Sequence, residues 1–380
     1  MNALGVWGLG ALVLSTVACA LSAVVLLRAR RQARGEPIPG WEPSVSILKP
    51  LSGIDEGLEQ NLESLFRLDY GSYEVIFSFA SADDPAYPVA RNVADRHPGV
   101  SSTFVFDPRE PGGNAKVNRL CAALRHARHR LVLFSDGNVR LRPDFLRRAV
   151  SWFADPAVGL VSHLFQATGA VSLPSRIESL YLNGCLQGGT ALVAGLLRLP
   201  CVVGKSILVS RTALDAIGGI AVLRDHLAED FLLGRYVRRA GYRVALSADV
   251  LDTAEVRKGV RAVWGRHRRW AMMRRRLGGP LYFGELFAGP LPWFGIAMLS
   301  PEPRTRAAAV LLLALRYGLE AATAARMGRA FSTLDFALLP LRDLGAAAVF
   351  WAGAIGHSVS WRGRPLRIGP QTLILDGPSS

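Results

Sequence analysis

The sequence has little cysteine, and its few cysteines are scattered. Its 380 residues include only Cys19, Cys121, Cys185 and Cys201, with no Cys-x-x-Cys pair and no histidine partner. This spacing argues against a structural zinc site and against a disulfide framework. We therefore expect the chain to work in a reducing compartment.

The sequence also has no internal repeat, no low-complexity tract and no excess of acidic residues. Half of the residues are hydrophobic and a fifth are charged, which excludes a disordered chain and one wholly embedded in a membrane. The formal net charge is +15. Nucleic acid is the usual partner of such a charge, but here the basic residues cluster beside apolar segments. This arrangement favours an anionic membrane face and an anionic substrate, with no nucleic acid as partner.

An uncharged apolar run covers residues 4–27, and arginines 28, 30, 31 and 34 follow it. As a helix the run is long enough to span about 30 Å of hydrocarbon. A secretory signal peptide is the alternative, but no basic stretch precedes the apolar run. The arginine flank therefore predicts a transmembrane anchor over residues 1–34, with the domain that follows it in the cytoplasm.

Strand-like and helix-like patterns alternate after a Pro/Gly linker at residues 35–43. Alternation of this kind predicts an α/β domain, at residues 44–276, with a mostly parallel sheet flanked by helices. The region 176–198 has no clear pattern. The predicted strands are 45–48, 73–79, 102–106, 131–134, 158–164, 201–210 and 243–246, and the predicted helices include 57–67, 89–97, 226–240 and 260–276.

Three further apolar segments, at about 282–299, 307–325 and 331–355, are interrupted by charges or prolines. Charges at bilayer depth usually face the interior of a helix bundle. Three full crossings would place the basic stretch 361–367 outside, so one segment is predicted to be re-entrant or interfacial, with the Pro-broken 282–299 favoured. This gives C-terminal membrane helices at 277–360 and a cytoplasmic tail at 361–380.

The stretch LVLFSDGNV at 131–139 places Asp136 at the end of a buried strand. Open α/β sheets bind ligands at the carboxyl ends of their strands. Mg²⁺ prefers hard oxygen ligands, usually one or two carboxylates together with substrate phosphates. Asp136 is therefore predicted to hold Mg²⁺ or Mn²⁺ on a nucleotide diphosphate. The alternative is that Asp-Gly-Asn is a simple turn.

Other polar groups lie at predicted strand ends and helix starts: Asp83, Asp84, Asn114, Lys116, Glu229, Asp230 and the arginines of RHRRW at 266–270. One task explains the set, namely holding a sugar nucleotide for transfer to a hydroxyl. Asp84 would accept hydrogen bonds from uracil or ribose, and Asp230 would act as general base on the acceptor hydroxyl.

The metal, with Arg266 and Arg269, would neutralise the leaving diphosphate. Each group also has a structural explanation. Asp83 and Asp84 could form a turn or helix cap, Glu229 and Asp230 could complement a helix dipole, and 266–270 could lie at a membrane surface. Lys49 could be solvated, and His163 is predicted to be structural.

Six motifs, in this order, resemble the ceramide glucosyltransferase family: VSILKPL (45–51), DDPA (83–86), GGNAKVN (112–118), FSDGNV (134–139), LAEDF (227–231) and RHRRW (266–270). Any single motif is weak, and the ordered set is specific. The resemblance implies an inverting, membrane-bound enzyme of GT-A fold, with an N-terminal transmembrane helix and C-terminal membrane-associated helices.

The resemblance also assigns roles to single residues. It implies that Asp84 binds the nucleotide, that Asp136 binds the metal and that Asp230 is the catalytic base. The other implied positions are Lys49, Asp83, Asn114 and Lys116 near the nucleotide, and Arg266, Arg269 and Trp270 in a (Q/R)xxRW signature for the diphosphate and acceptor. His163 lies one residue away from a family histidine.

The metal motif departs from the Asp-x-Asp of many GT-A enzymes, because Asn138 stands at its third position. The protein then supplies one carboxylate fewer to the metal. The Arg- and Ala-rich composition suggests a bacterial multi-pass protein of the inner membrane. The predicted reaction moves glucose from UDP-glucose to the primary hydroxyl of a ceramide. The alternatives are N-acetylglucosamine transfer to a hopanoid polyol, a processive polysaccharide synthase, and a non-enzymatic membrane-surface module.

Overall fold

The computed structural model of the protein describes residues 3–32, 38–356, 358–361 and 364–375. Arg34, part of the predicted linker (35–37) and parts of the predicted tail (362–363 and 376–380) lie outside the described residues. The chain forms two compact units. The sheet unit comprises Arg30–Thr168, Leu199–Ala254 and Thr372–Ser380, and the helical unit comprises Met1–Ala29, Gly169–Arg198 and Glu255–Gln371.

Among the described residues, the sheet unit contains one eight-stranded sheet in the spatial order β3-β2-β1-β4-β7-β6-β8-β5. Strands β1, β2, β3 and β4 are parallel neighbours, and β6 is parallel to β8, whereas β7 is antiparallel to β4 and β6, and β5 is antiparallel to β8. The strands are β1 Val45–Pro50, β2 Tyr73–Phe79, β3 Ser101–Phe106, β4 Leu131–Ser135, β5 Val139–Arg140, β6 Val158–Thr168, β7 Ser206–Ser210 and β8 Arg243–Ala254.

The helices of the sheet unit follow the predicted alternation. They are α2 Leu58–Phe66, α3 Ala86–Asp95, α4 Ala115–Leu124, α5 Phe145–Val150, α8 Arg211–Ala216 and α9 Glu229–Arg239. Strands β1 and β4 are continuous apolar runs, as expected for parallel strands that are buried on both faces. Ile47, Leu48 and Leu133 have no exposed surface and form part of this core. The predicted fold class, an α/β fold with a mostly parallel sheet flanked by helices, is therefore confirmed, with a mixed second half.

Strand lengths in this second half differ from the prediction. Strand β8 continues to Ala254 although the apolar pattern fades after Leu246, because it pairs with β6 and β5 along its length. Asp249 on this extension is buried and pairs with Arg142. The predicted strand 201–210 is confined to Ser206–Ser210, the part that pairs with β4.

The helical unit contains most of the long helices. Three of its described helices are long and apolar enough to cross a membrane: Ala3–Arg30, Pro303–Arg326 and Thr333–Ile355. The segment 282–299 does not form such a helix, because a 3₁₀ turn at Gly279–Phe287 ends before Pro290 and only a short helix follows. The elements are α1 Ala3–Gln32, α6 Leu173–Leu180, α7 Gln187–Gly195, α10 Val260–Gly278, α11 Leu291–Met298, α12 Pro303–Arg326, α13 Thr333–Ile355, β9 Ser358–Trp361 and β10 Arg364–Arg367.

Four charged residues in the middle of α12 and α13 are buried together, as expected for charges that face a bundle interior, namely Arg316, Glu320, Arg342 and Asp343. Arg316 pairs with Glu320 at 2.9 Å, and Arg342 pairs with Asp343 at 2.7 Å and also with Glu320. The unassigned region 176–198 is helical, with a π-helical turn at Tyr181–Leu186 between α6 and α7. Gly184 lies on this turn, where a Cβ atom would overlap the Glu320 carboxylate.

Candidate active site

Asp136 follows the last residue of β4 and lies between two lysines. Its carboxylate oxygens are 2.8 Å from Lys116 Nζ and 3.6 Å from Lys205 Nζ. Burial raises the pKa of this carboxyl, but the two ammonium groups outweigh burial and hold the pKa below its ordinary value. Asp136 is therefore an anion at neutral pH, already matched by positive charge.

Lys116, in the first turn of α4, connects Asp136 to the start of α9. Its Nζ lies 3.1 Å from Glu229 Oε1 and donates to the Gly204 carbonyl at 3.1 Å. Asn114 caps the same helix by accepting from the Val117 N–H at 3.2 Å. The Asn114 amide also donates to Glu229 Oε2 at 3.1 Å. The GGNAKVN and LAEDF motifs, more than a hundred residues apart, therefore meet in one cluster.

Asp230 is partly buried in this cluster. Burial and the neighbouring Glu229 carboxylate raise its pKa to about 7, although Lys116 opposes the shift. Gly204 approaches it closely, because a Cβ atom there would lie 2.7 Å from Asp230 Oδ2. A carboxylate whose pKa lies near neutrality is suited to accept a proton as a general base.

Lys49 is fully buried at the end of β1. Its ammonium group donates to Ser135 Oγ at 3.1 Å and to the Asp136 backbone carbonyl. Burial lowers its pKa to about 7, against the opposing effect of Asp136 and Asp55. The solvated alternative for Lys49 is therefore wrong, and its side chain supports the loop that carries Asp136.

Asp84 follows β2 at the same edge of the sheet. Its Oδ1 accepts from the Gly53 N–H at 3.0 Å and from the Ala86 N–H at 2.9 Å, which ties the loop after β1 to the start of α3. That loop also reaches the metal motif, because Asp55 Oδ2 lies 2.6 Å from where a Cβ of residue 137 would be. Asp83 is more exposed and accepts from Ser81 Oγ at 3.0 Å.

The RHRRW motif lies on α10 in the helical unit. Arg266 is held by two buried carboxylates, with Glu255 at 2.9 and 3.0 Å and Glu178 at 2.8 Å. Its guanidinium lies 5.5 Å from the centre of the Trp270 ring. Arg269 has a lowered pKa because of burial and the neighbouring Arg266 charge. The charge of Arg266 is therefore already balanced inside its own unit.

His163 is buried on β6, 4.8 Å from the Phe145 ring between centroids. Burial lowers its pKa to about 4, against a weaker opposing effect of Asp249. It is therefore neutral at physiological pH and packs in the core, as the structural interpretation predicted.

Sequence reasoning missed Lys205, Glu178 and Glu255. Lys205 donates to Asn138 Oδ1 at 2.8 Å and so reaches both side chains of the metal motif. It lies there because β7 is antiparallel to β4, which places the start of β7 beside the end of β4. The signal available in the sequence was the lysine directly before the strand SILVS. A parallel strand would place that lysine at the opposite edge of the sheet from Asp136, so the predicted parallel sheet did not bring the two together. Glu178 lay in the region that had no assigned pattern.

Two side chains directly after β4 carry oxygen atoms of the type that binds divalent cations. Asp136 and Asn138 offer one carboxylate and one amide oxygen, both hard ligands. Within the described ranges, no group of three or more His, Cys, Asp or Glu side chains gathers in a metal-binding arrangement. In this structure lysine ammonium groups contact both side chains, since Lys116 and Lys205 pair with Asp136 and Lys205 donates to Asn138 Oδ1.

The chain is similar in sequence to ceramide glucosyltransferases and similar in fold to a solved mannosyltransferase. Ceramide glucosyltransferase 1 of Caenorhabditis elegans is 31% identical over 240 residues, which cover 63% of this chain and 51% of that protein. Ceramide glucosyltransferase 3 of the same organism is 28% identical over 332 residues, covering 84% and 72%. The chain thus spans about half the length of the first relative.

A mannosyltransferase from Pyrobaculum calidifontis, solved in complex with GDP-Man and Mn²⁺, shares the fold with a TM-score of 0.53 and 21% identity. The match covers 90% of this chain and 97% of that one, and it supports the predicted GT-A type. The sequence model of the family described as Glycosyl transferase family 21 matches residues 10–374 of this chain. The chain therefore belongs to glycosyl transferase family 21, and the family membership predicted from its six motifs is confirmed.

Proposed function

We propose that this protein transfers a hexose from a UDP-sugar to the primary hydroxyl of a membrane lipid, with inversion at the anomeric carbon. Glucose is the proposed sugar and ceramide the proposed lipid, because two ceramide glucosyltransferases are among its relatives. The observation that carries the proposal is Asp230, a carboxyl with a pKa raised to about 7 beside the Lys116–Asp136 pair.

The reaction is a single displacement. The acceptor oxygen forms a bond to the anomeric carbon, the bond from that carbon to the diphosphate oxygen breaks, and the acceptor proton passes to Asp230. The proton transfer contributes roughly 10²–10⁴-fold to the rate. Because attack and departure occur on opposite faces of the sugar, a single displacement inverts the anomeric centre.

The donor is proposed to bind at the carboxyl ends of β1, β2 and β4. Asp84, with Asp83 beside it, would accept hydrogen bonds from the nucleoside, and Asn114 would position the loop around it. Asp136 and the Asn138 amide oxygen would hold Mg²⁺ or Mn²⁺, which supplies positive charge to the leaving diphosphate. Lys116 and Lys205 place two ammonium groups beside Asp136, which would add positive charge near the leaving diphosphate.

The proposal also includes the RHRRW motif and the long apolar helices. Arg269 and Trp270 are proposed to serve the diphosphate and the acceptor, with Arg266 as their support. The three long apolar helices are proposed to span the bilayer, with the sheet unit in the cytoplasm and the membrane that of a bacterium. The proposal keeps the predicted boundaries, which are 1–34 for the anchor, 44–276 for the catalytic domain and 277–360 for the membrane helices.

The test uses the purified full-length enzyme with a panel of UDP-sugars crossed with ceramide, diacylglycerol and hopanoid acceptors. Asp230→Asn is expected to abolish turnover and to leave UDP binding by calorimetry nearly unchanged. Asp215→Asn, an exposed carboxylate on α8, is the matched control and should behave as wild type.

Wild-type turnover by Asp230→Asn would remove the general-base assignment. Transfer to the hopanoid alone, or products longer than one sugar, would replace the ceramide proposal. A wild-type protein that neither binds nor turns over any UDP-sugar would end the proposal altogether.

A further inference from the structure

We infer that Thr372 and the two residues after it are positioning residues of the active site, holding the peptide that leads into Asp230. The inference rests on the proposed function, because it gives this C-terminal segment a role in the same reaction. In sequence the segment belongs to the stretch predicted to be a cytoplasmic tail. The structure places residues 372–375 in the sheet unit.

Thr372 is fully buried and binds the backbone directly before Glu229 and Asp230. Its Oγ1 accepts from the Ala228 N–H at 3.1 Å, and its carbonyl accepts from the Leu227 N–H at 3.0 Å. Leu373 forms an antiparallel bridge with His226. Three successive residues before Glu229 are therefore fixed by the C-terminal segment.

Helix α9 depends on this outside support because of its own sequence. Its N-cap residue is Ala228, whose N–H a Glu or Gln side chain at the third helical position could bind in a capping box, but Phe231 stands there. Ala228 is only 1% exposed, so water cannot replace the hydroxyl that binds its N–H. Loss of that hydroxyl would leave a buried donor without its partner at the residue two places before Asp230.

The backbone at Thr372 supports the same conclusion. Thr372 has a φ of +60°, a left-handed conformation that a β-branched residue rarely adopts. Such conformations persist where surrounding contacts over-determine them, and they cluster at functional sites. Here the contacts that hold Thr372 are those made with Leu227 and Ala228.

The segment also contacts the loop that carries Asn114 and Lys116. The Ile374 N–H donates to the Asp225 carbonyl at 2.7 Å, and the Asp225 carboxylate accepts from the Gly113 N–H at 2.9 Å. Ile374 Cγ2 lies 3.0 Å from where a Cβ of residue 113 would be. The segment therefore packs against the residues that precede α4 and α9, and the first turns of these two helices are joined by the ion pair between Lys116 and Glu229.

The test compares Thr372→Val with Thr372→Ser in the full-length enzyme. Valine keeps the branched shape and removes the hydroxyl, so we expect kcat to fall by about 10- to 100-fold, as for a small misplacement of a catalytic group. The KM for the UDP-sugar should change little, whereas the thermal midpoint should fall by a few degrees because the buried Ala228 N–H loses its partner. Serine keeps the hydroxyl and should restore kcat. Leu375→Ala, at an exposed neighbour, is the control.

Wild-type kcat in Thr372→Val, with Asp230→Asn inactive, would overturn this inference alone, whereas an active Asp230→Asn would overturn the proposed function. A kcat loss that serine fails to restore would also count against a positioning role. If Thr372→Val does not fold, Ile374→Ala decides the matter, because it keeps Thr372 and loosens the Gly113 contact. A lower kcat in Ile374→Ala supports the inference, and an unchanged kcat overturns it.

Discussion

We expect the buried ion pairs of Arg266 with Glu178 and Glu255 to stabilise the folded protein, which can be tested by thermal unfolding without substrate. Arg266, with 14% of its side chain exposed, pairs with Glu178 and Glu255, whose side chains are fully buried. Lys258 also pairs with Glu255, at 3.0 Å. His267 Nε2 lies 2.8 Å from Glu178 Oε1, and burial lowers the pKa of His267, so it contacts Glu178 as a neutral imidazole at pH 7. Arg266→Gln keeps a residue that the signature allows and removes the positive charge together with the guanidinium's hydrogen bonds to both carboxylates.

Removal of one partner from a buried ion pair costs about 3–5 kcal/mol. Because Lys258 still pairs with Glu255 and the His267 ring can still donate to Glu178 in Arg266→Gln, we expect the lower end, about 3 kcal/mol. This loss corresponds to a thermal midpoint lower by roughly 6–12 °C. In the double variant Arg266→Gln/Glu178→Gln, the buried carboxylate that Arg266→Gln leaves without a cation is also removed, so part of the loss should be recovered.

The assay is thermal unfolding of the full-length enzyme in detergent, with the wild type, both single variants and the double variant in one cycle. The expected coupling between the two sites is about 1–3 kcal/mol, as for residues that share one ion-pair network. A double variant no more stable than Arg266→Gln would refute the reasoning, because the cost would then not arise from unpaired buried charge.

Two further predictions concern pH and packing. Because the base must be unprotonated and the pKa of Asp230 is raised to about 7, kcat/KM should rise with pH through about 7. Glu229→Gln removes a charge that raises this pKa, so the rise in kcat/KM should move to lower pH, and an unmoved profile would contradict the assignment. Gly184→Ala should destabilise the protein by about 1–3 kcal/mol because the methyl group overlaps Glu320. Gly189→Ala, where a Cβ atom meets nothing within 4 Å, is the control; equal midpoints for the two variants would argue against the overlap.

The sequence was sufficient to predict the parallel half of the sheet and the residues at its edge. The reason is that each step there is local: a buried strand such as β1 or β4 ends, and the next polar residue lies at the carboxyl edge. Asp136 and Asp84 follow from this rule alone. Asp230 followed from its position at a helix start and from the family motif, but its raised pKa required the burial and the contact with Glu229.

The sequence could not reveal contacts that join distant segments. Lys205 reaches Asp136 only because β7 is antiparallel, and strand direction is not encoded in an apolar run. Glu178 and Arg266 are far apart in sequence, and only tertiary packing brings the carboxylate to the guanidinium. The role of Thr372 depends on a left-handed backbone that no propensity predicts for threonine.

The buried charges of α12 and α13 affect how the protein enters the bilayer. In the proposed topology, α13 alone would carry Arg342 and Asp343 into hydrocarbon, and an isolated helix meets a cost of about 2.5–3.5 kcal/mol for each such charge near its centre. Glu320 on α12 offsets the arginine once the two helices are side by side. We therefore expect the translocation machinery to release α12 and α13 together, as a hairpin, and not one after the other.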